Sequence, residues 1–368
     1  MFESLPNFVI SIDGDLQSIH FFSIDAKAKT FSHEVEVYKS EAFTEDFFEM
    51  LKNVVKLHRG KKSGKAVLLL PDSVFFTDTI VVPSVQKAIS ASVDLTIETL
   101  YKNASELKIN TAPLFQDKNT STYSLIGVRK ELLLKTIGAL GEGGVSVAGV
   151  TFYSNAVVNG AAAVNPKLKN ASYLLMDVKE KATGFSLVVG GKTLGFYNIP
   201  FGYRILSDSE LNFEPDLFDH TATELLVLNA KERAKRKRLT VLDETEEEGE
   251  EVDADKKEGK KGSKLPKSLL RPAPTDADGF VYENFRVLAK WAIEVIVGNQ
   301  ELLSGVDLKN VYVNLPEKYS AVFDKLSSEN ENSKYTFLKL NGAEERVLNN
   351  LGLYGGAYVK KFNKINNF

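Results

Sequence analysis

Apolar positions at the start of the chain fall first into strand-like runs and then into a helical stripe. Residues 8–12 (FVISI) and 18–24 (SIHFFSI) read as two strands, and 31–38 (FSHEVEVY) alternates as a third. At Thr44 the period changes. Thr44 is an N-cap, Glu45 and Asp46 sit in a first helical turn, and Phe47, Phe48, Leu51, Val54 and Val55 form one apolar stripe. Residues 66–70 (AVLLL) are a fully apolar strand ended by Pro71, and 73–82 alternate loosely up to Pro83. A helix over 84–101 follows, with Ser84 as its cap and Val85, Ile89, Val93 and Ile97 along one face. The pattern then gives a polar segment, a strand at 122–128 and a helix at 130–140. Glycines 141, 143 and 144 end that helix. A strand at 145–152 and a small-residue helix at 153–164 close this half.

The second half repeats the opening. Strands are expected at 173–178, 184–189 and 192–199, the last two joined by Gly190-Gly191, a two-residue hairpin signal. Asp216 reads as the cap of a basic helix that includes RAKRKR at 233–238, and 283–304 as a helix containing Trp291. A strand at 308–315, a helix at 319–327, a strand at 335–340 and a helix at 344–353 complete the chain. Strands and helices alternate in both halves, which argues an α/β fold. In each half an apolar strand runs up to an aspartate, Asp13 or Asp177, and a polar turn and a returning strand follow. Residues 239–279 stand apart: they are charged, nearly free of apolar side chains, and carry nine acids and no base over 243–255. They are expected to be a disordered insertion.

Composition narrows the function. The chain has 368 residues, enough for two domains, and a formal net charge of −3, which does not suit an embrace of nucleic acid. Cysteine is absent, excluding disulfides, thiolate metal sites and cysteine nucleophiles. His20, His33, His58 and His220 show no metal-ligand spacing. No leader peptide is expected, and no run reaches the roughly 20 apolar residues of a membrane-spanning helix. The default reading is a cytoplasmic protein that meets a membrane only through a partner. Asp13 and Asp177 are either turn-bonding strand ends or remnants of a metal-positioning pair.

With these pieces in order, the chain resembles the actin-like ATPase superfamily in its FtsA/PilM branch. The likeness rests on the two strand–Asp–turn–strand units and on the order Val82-Pro83, 124–137 (SLIGVRKELLLKTI) and Gly149-Val150 around an extra module. The resemblance implies a two-domain actin-like fold, a duplicated ribonuclease H-like core with an FtsA-type inserted subdomain. One core half would span 1–83 and 151–170, the inserted subdomain 84–150, and the other half 171–238 and 280–368. The family's first phosphate loop reads Asp-x-Gly-Ser-x-x-x-Lys. Here Asp13 is followed by Gly14 at the free position, Asp15 where glycine belongs and His20 where the lysine would be. Asp177 is followed by Val178, Lys179 and Glu180 in place of the second glycine loop, and Pro316-Glu317 replaces paired glycines on the adenine side. Glycine lets backbone amides approach phosphate, and a carboxylate there repels it.

The resemblance therefore implies a pseudo-ATPase scaffold without catalytic residues, metal or cofactor. Asp13, Gly14 and Asp177 mark its degenerate nucleotide-cleft positions. The implied partners are the cytoplasmic tail of a single-pass, PilN-like inner-membrane protein and a secretion-type ATPase, with no nucleic acid. The partner's docking face is expected near 84–101 and 122–137, with 122–128 as a free strand edge. The alternative is an active actin-like ATPase, filament-forming, that uses ATP and Mg with non-standard loops.

Overall fold

The computed structural model describes residues 6–13, 17–25, 30–60, 64–84, 89–116, 118–199, 202–203, 306, 308–329 and 334–359, with 282, 285, 286, 289 and 293. The expected insertion at 239–279, the helix capped by Asp216, nearly all of the helix at 283–304, and Gly14, Asp15 and Val85 lie outside the described residues.

Strand β1 (Phe8–Asp13) pairs antiparallel with β2 (Ser18–Asp25), and β2 with β3 (Thr30–Val37). Helix α1 (Glu45–Arg59) follows, its first turn closed by a hydrogen bond from the Phe47 amide to Thr44 Oγ1. Strand β4 (Gly64–Leu70) returns parallel beside β1, and β8 (Val145–Phe152) parallel beside β4. The sheet order is β3-β2-β1-β4-β8. Strands β1 and β4 read as near-continuous apolar runs because both of their faces are buried. Phe8, Ile10 and Ile12 face one core with Phe47, Leu51 and Val55 of α1, whereas Val9 and Leu69 face another with Leu353 and Ala357.

The second sheet repeats the first. Strands β9 (Tyr173–Val178), β10 (Thr183–Val189) and β11 (Lys192–Ile199) pair antiparallel, and β12 (Asn310–Asn314) and β13 (Thr336–Lys339) add in parallel, in the order β11-β10-β9-β12-β13. Gly190 and Gly191 hold φ of 57° and 76° in the β10–β11 turn, the conformation that selects glycine there. The two sheets thus share strand order and direction, and the duplication read from the sequence is present in the topology.

Between β4 and β8 the chain builds a third sheet, β5-β7-β6, from β5 (Phe75–Pro83), β6 (Leu107–Gln116) and β7 (Thr120–Arg129), covered on one face by α2 (Ile89–Leu100). Three readings change here. Residues 107–116 form a strand where a polar segment was expected. Pro113 is tolerated in this strand because β6 lies at a sheet edge and its pairing shifts register beside Pro113. Strand β7 is central, so 122–128 offers no free edge. The edges of the module also differ from 84–150. Strand β5 belongs to the third sheet, α3 (Lys130–Glu142) packs beside α1, and β8 belongs to the first sheet.

Helix α4 (Tyr153–Val164) joins the halves, touching the first sheet's second core through Ala156 and the second sheet through Val157, Val158 and Ala161. After α5 (Ser320–Glu329), the single expected closing helix is two: α6 (Glu345–Asn349) and α7 (Leu351–Gly356). Helix α7 crosses α4 with backbone against backbone. A Cβ on Gly355 would lie 1.8 Å from the Ala156 carbonyl oxygen, and one on Gly160 2.3 Å from that of Leu351. By contact the chain divides into two units, Met1–Tyr203 with Gly305–Phe368, and Arg204–Ser304; β1 to β13 and α1 to α7 all lie in the first. Among the described residues no helix is long and apolar enough to cross a membrane.

These contacts predict opposite outcomes at two helical glycines. Gly355→Ala forces the crossing apart and should lower stability to urea by about 1–3 kcal/mol. Gly138 in α3 has nothing within 4 Å of a new Cβ. Gly138→Ala should therefore raise stability by up to about 1 kcal/mol, through helix propensity alone.

Candidate functional site

Asp13 and Asp177 stand near the C-terminal ends of the central strands β1 and β9, where the topology places them because each strand is flanked on both sides. Asp13 is half-buried, and its carbonyl oxygen accepts from the Tyr38 hydroxyl at 3.1 Å. Asp177 is buried. In the parallel register of β12 and β9, Asn314 is level with Asp177, and its Nδ2 donates to Asp177 Oδ1 at 2.7 Å and to the Leu348 carbonyl at 2.9 Å. The Lys179 ammonium lies 3.6 Å from Asp177 Oδ2 and 3.6 Å from the centroid of the Tyr153 ring, the first residue of α4. Burial pulls the Lys179 ammonium down, but Tyr153, Asp177 and Asp72 more than offset this and hold it above the usual lysine range.

Asp72 was not singled out by the sequence. It follows Pro71 at the end of β4 and is buried. Its Oδ1 accepts from the Ser154 amide at 2.9 Å. Its Oδ2 accepts from Ser154 Oγ at 2.7 Å and from Asn198 Nδ2 at 2.6 Å. It therefore caps the start of α4 and binds β11 of the second half to the exit of β4. Burial pushes its carboxyl up, against these three donors. A second buried pair of contacts continues the seam, from Thr193 Oγ1 to Asn155 Oδ1 at 3.0 Å and from Asn155 Nδ2 to Thr151 Oγ1 at 2.8 Å. An aspartate after a strand-ending proline was the available signal, but a sequence does not reveal which helix start it meets.

His20, at the expected lysine position, is engaged through both ring nitrogens: Nδ1 with His33 Nε2 at 2.9 Å, and Nε2 with Ser18 Oγ at 3.1 Å. Burial is the main reason its pKa falls to about 4, and His33 and Lys179 add to the fall against Asp13. His58 lies between Glu34 and Glu36, and among the described residues no group of three or more His, Asp or Glu is placed to hold a metal ion. In the β9–β10 turn the Lys179 amide donates inward to the Ala182 carbonyl at 2.9 Å, and the Lys179 carbonyl accepts from the Tyr203 amide at 2.8 Å. Glu317 bonds Lys339 Nζ at 2.6 Å through its Oε2. Gly14 lies outside the described residues. The structure brings Asp177, Lys179 and Tyr153 together. Of the apolar stripe expected along 84–101, Val93 and Ile97 pack inward on Ile80, Val82 and Leu125, whereas Leu95 and Leu100 of the same helix are exposed.

No protein-family model matches the sequence, and no curated protein matches it. Solved structures do. The fold is similar to that in the "PilM-PilN type IV pilus biogenesis complex", with a TM-score of 0.54 and 13% identity over 98% of this chain and 97% of that one. Weaker likenesses are to a putative sugar kinase from Cytophaga hutchinsonii (TM-score 0.44, 11% identity, covering 96% and 99%) and to MreB 5 of Spiroplasma citri bound to AMPPNP (TM-score 0.41, 10% identity, covering 98% and 97%). The topology and the first likeness together give a two-domain actin-like fold.

Two outcomes follow from the site. Asp72→Ala strips three donors of their acceptor and should cost about 2–3 kcal/mol of stability in urea. The His20 pKa, lowered from 6.5 to about 4, means that the unfolded chain takes up this proton first as pH falls. Stability should therefore drop from about pH 7 to pH 5, and His20→Gln should flatten that slope.

Proposed function

We propose that this chain is a PilM-like scaffold of a bacterial envelope machine, a type IV pilus or a related secretion system. It is cytoplasmic and peripheral to the inner membrane. It docks the cytoplasmic tail of a single-pass membrane protein and works without nucleotide turnover. The observation that carries this reading is a groove of about 540 Å3. Gln17 of the β1–β2 turn, Lys39, Glu41, Ala42 and Phe43 of the β3–α1 connection, and Pro71, Ser73 and Val74 at the exit of β4 line it. The volume lies in the range of ligand pockets, about 300–1,000 Å3. Gln17 and Phe43 hold φ of 47° and 66° without being glycine, a strained state that clusters at binding sites. Mixed polar and apolar walls that carry both a lysine and a glutamate suit a short extended peptide.

The described residues of the Asp13–Asp177 cleft fit a magnesium-bound nucleotide poorly. Both oxygens of Asp177 are engaged by Asn314 and Lys179, and the Lys179 amide turns inward. Pro316 has no amide to offer, and Glu317 is committed to Lys339. These contacts support nucleotide-independent function, and the partner assignment draws on the likeness to the PilM–PilN complex.

Fluorescence anisotropy tests this with labelled tail peptides of single-pass membrane proteins encoded beside the chain. One tail should bind saturably, with the same affinity with and without Mg-ATP. Ser73→Arg and Lys39→Glu should weaken it by about tenfold or more, or about 1.4 kcal/mol, without changing the melting temperature. Equal affinity in both variants places the docking site elsewhere. An active, filament-forming ATPase predicts instead that Mg-ATP at 100 times its Kd stabilises the fold by about 2.7 kcal/mol.

A further inference from the structure

The β9–β10 turn carries a cation to the seam between the halves. Both ends of the arrangement are fixed. On the turn, the Lys179 backbone is held by Ala182 and Tyr203. On the other side, Tyr153 is wedged against α7, where a Cβ on Gly352 would lie 2.4 Å from Tyr153 Cζ. Between them, the ammonium meets the face of the Tyr153 ring at 3.6 Å and Asp177 Oδ2 at the same distance. An ammonium at this range over an aromatic face is attracted by the ring quadrupole, and Asp177 adds a full opposite charge.

We propose that Lys179 is a built-in tether of the cleft: its ammonium ties the second half's turn to the start of α4, so the two halves stay assembled without a ligand bridging them. This rests on the nucleotide-independent reading above and gives it a mechanism. The buried carboxylate of Asp177 needs a counter-charge, and the chain supplies one from two residues downstream. The role is one of positioning: Lys179 acts through the ring and the carboxylate it holds.

Hydrogen exchange on the full chain tests it. In Lys179→Met the amides of residues 178–183 and 154–157 should exchange about tenfold faster than in the wild type, while those of β1 and β4 keep their protection. Lys179→Arg, which also stacks on aromatic faces and pairs with carboxylates, should restore most of the protection. If Lys179→Met unfolds globally, the wild type still decides the matter. Raising KCl from about 0.05 to 1 M should speed exchange at the same amides alone, because the ion pair's partly exposed lysine end is screened. Unchanged exchange in a folded Lys179→Met, or in the wild type across the salt series, overturns the tether. Protection of these amides by Mg-ATP in the wild type overturns the nucleotide-independent reading itself. No effect of Mg-ATP together with no effect of Lys179→Met sinks only the tether.

Discussion

Everything at the seam depends on how closely α4 and α7 approach. The Gly355 and Gly160 positions allow backbone to touch backbone, and a single methyl at either would meet a carbonyl oxygen. That contact sets Tyr153, at the head of α4, directly against α7. It also leaves the β9–β10 turn within reach of the Tyr153 ring. The Lys179–Tyr153 contact is made at the head of the same helix. Packing therefore comes first, and the polar seam is built on the distances that packing allows.

Within that seam each charge is matched by the chain itself. Asp72 is buried but accepts three donors, Asp177 accepts Asn314 and faces Lys179, and Lys179 is held by a ring and a carboxylate. Buried polar groups left unpaired are costly, and here the chain supplies the partners from within. The groove beside the first turn has the opposite character. Its walls hold Gln17 and Phe43 at positive φ, a strain of the kind that gathers at binding sites.

Much of the fold was legible in the sequence, for identifiable reasons. The two-sided burial of β1, β4 and β9 produced continuous apolar runs ending at Asp13, Leu70 and Val178. Gly190-Gly191 marked its hairpin, and Thr44 its helix start. Strand β6 was not legible, because Pro113 reads as a breaker unless the strand is known to lie at an edge. The split of the last helix at Asn350 was hidden by an apolar pattern that runs through it. The module's limits were obscured because sequence order does not reveal which sheet β5 and β8 join. The site was less legible still. Asp13 and Asp177 were picked out as strand-end aspartates, but Asp72, Tyr153, Lys179 and Asn314 act through contacts between elements far apart in sequence. No local pattern encodes those contacts.

The central claim is that this actin-like cleft is closed by its own residues and does not take nucleotide. Isothermal titration of the full chain with Mg-ATP at millimolar concentration tests it most directly. The account predicts heats no larger than dilution and no saturation. A saturable isotherm with one site per chain would contradict it.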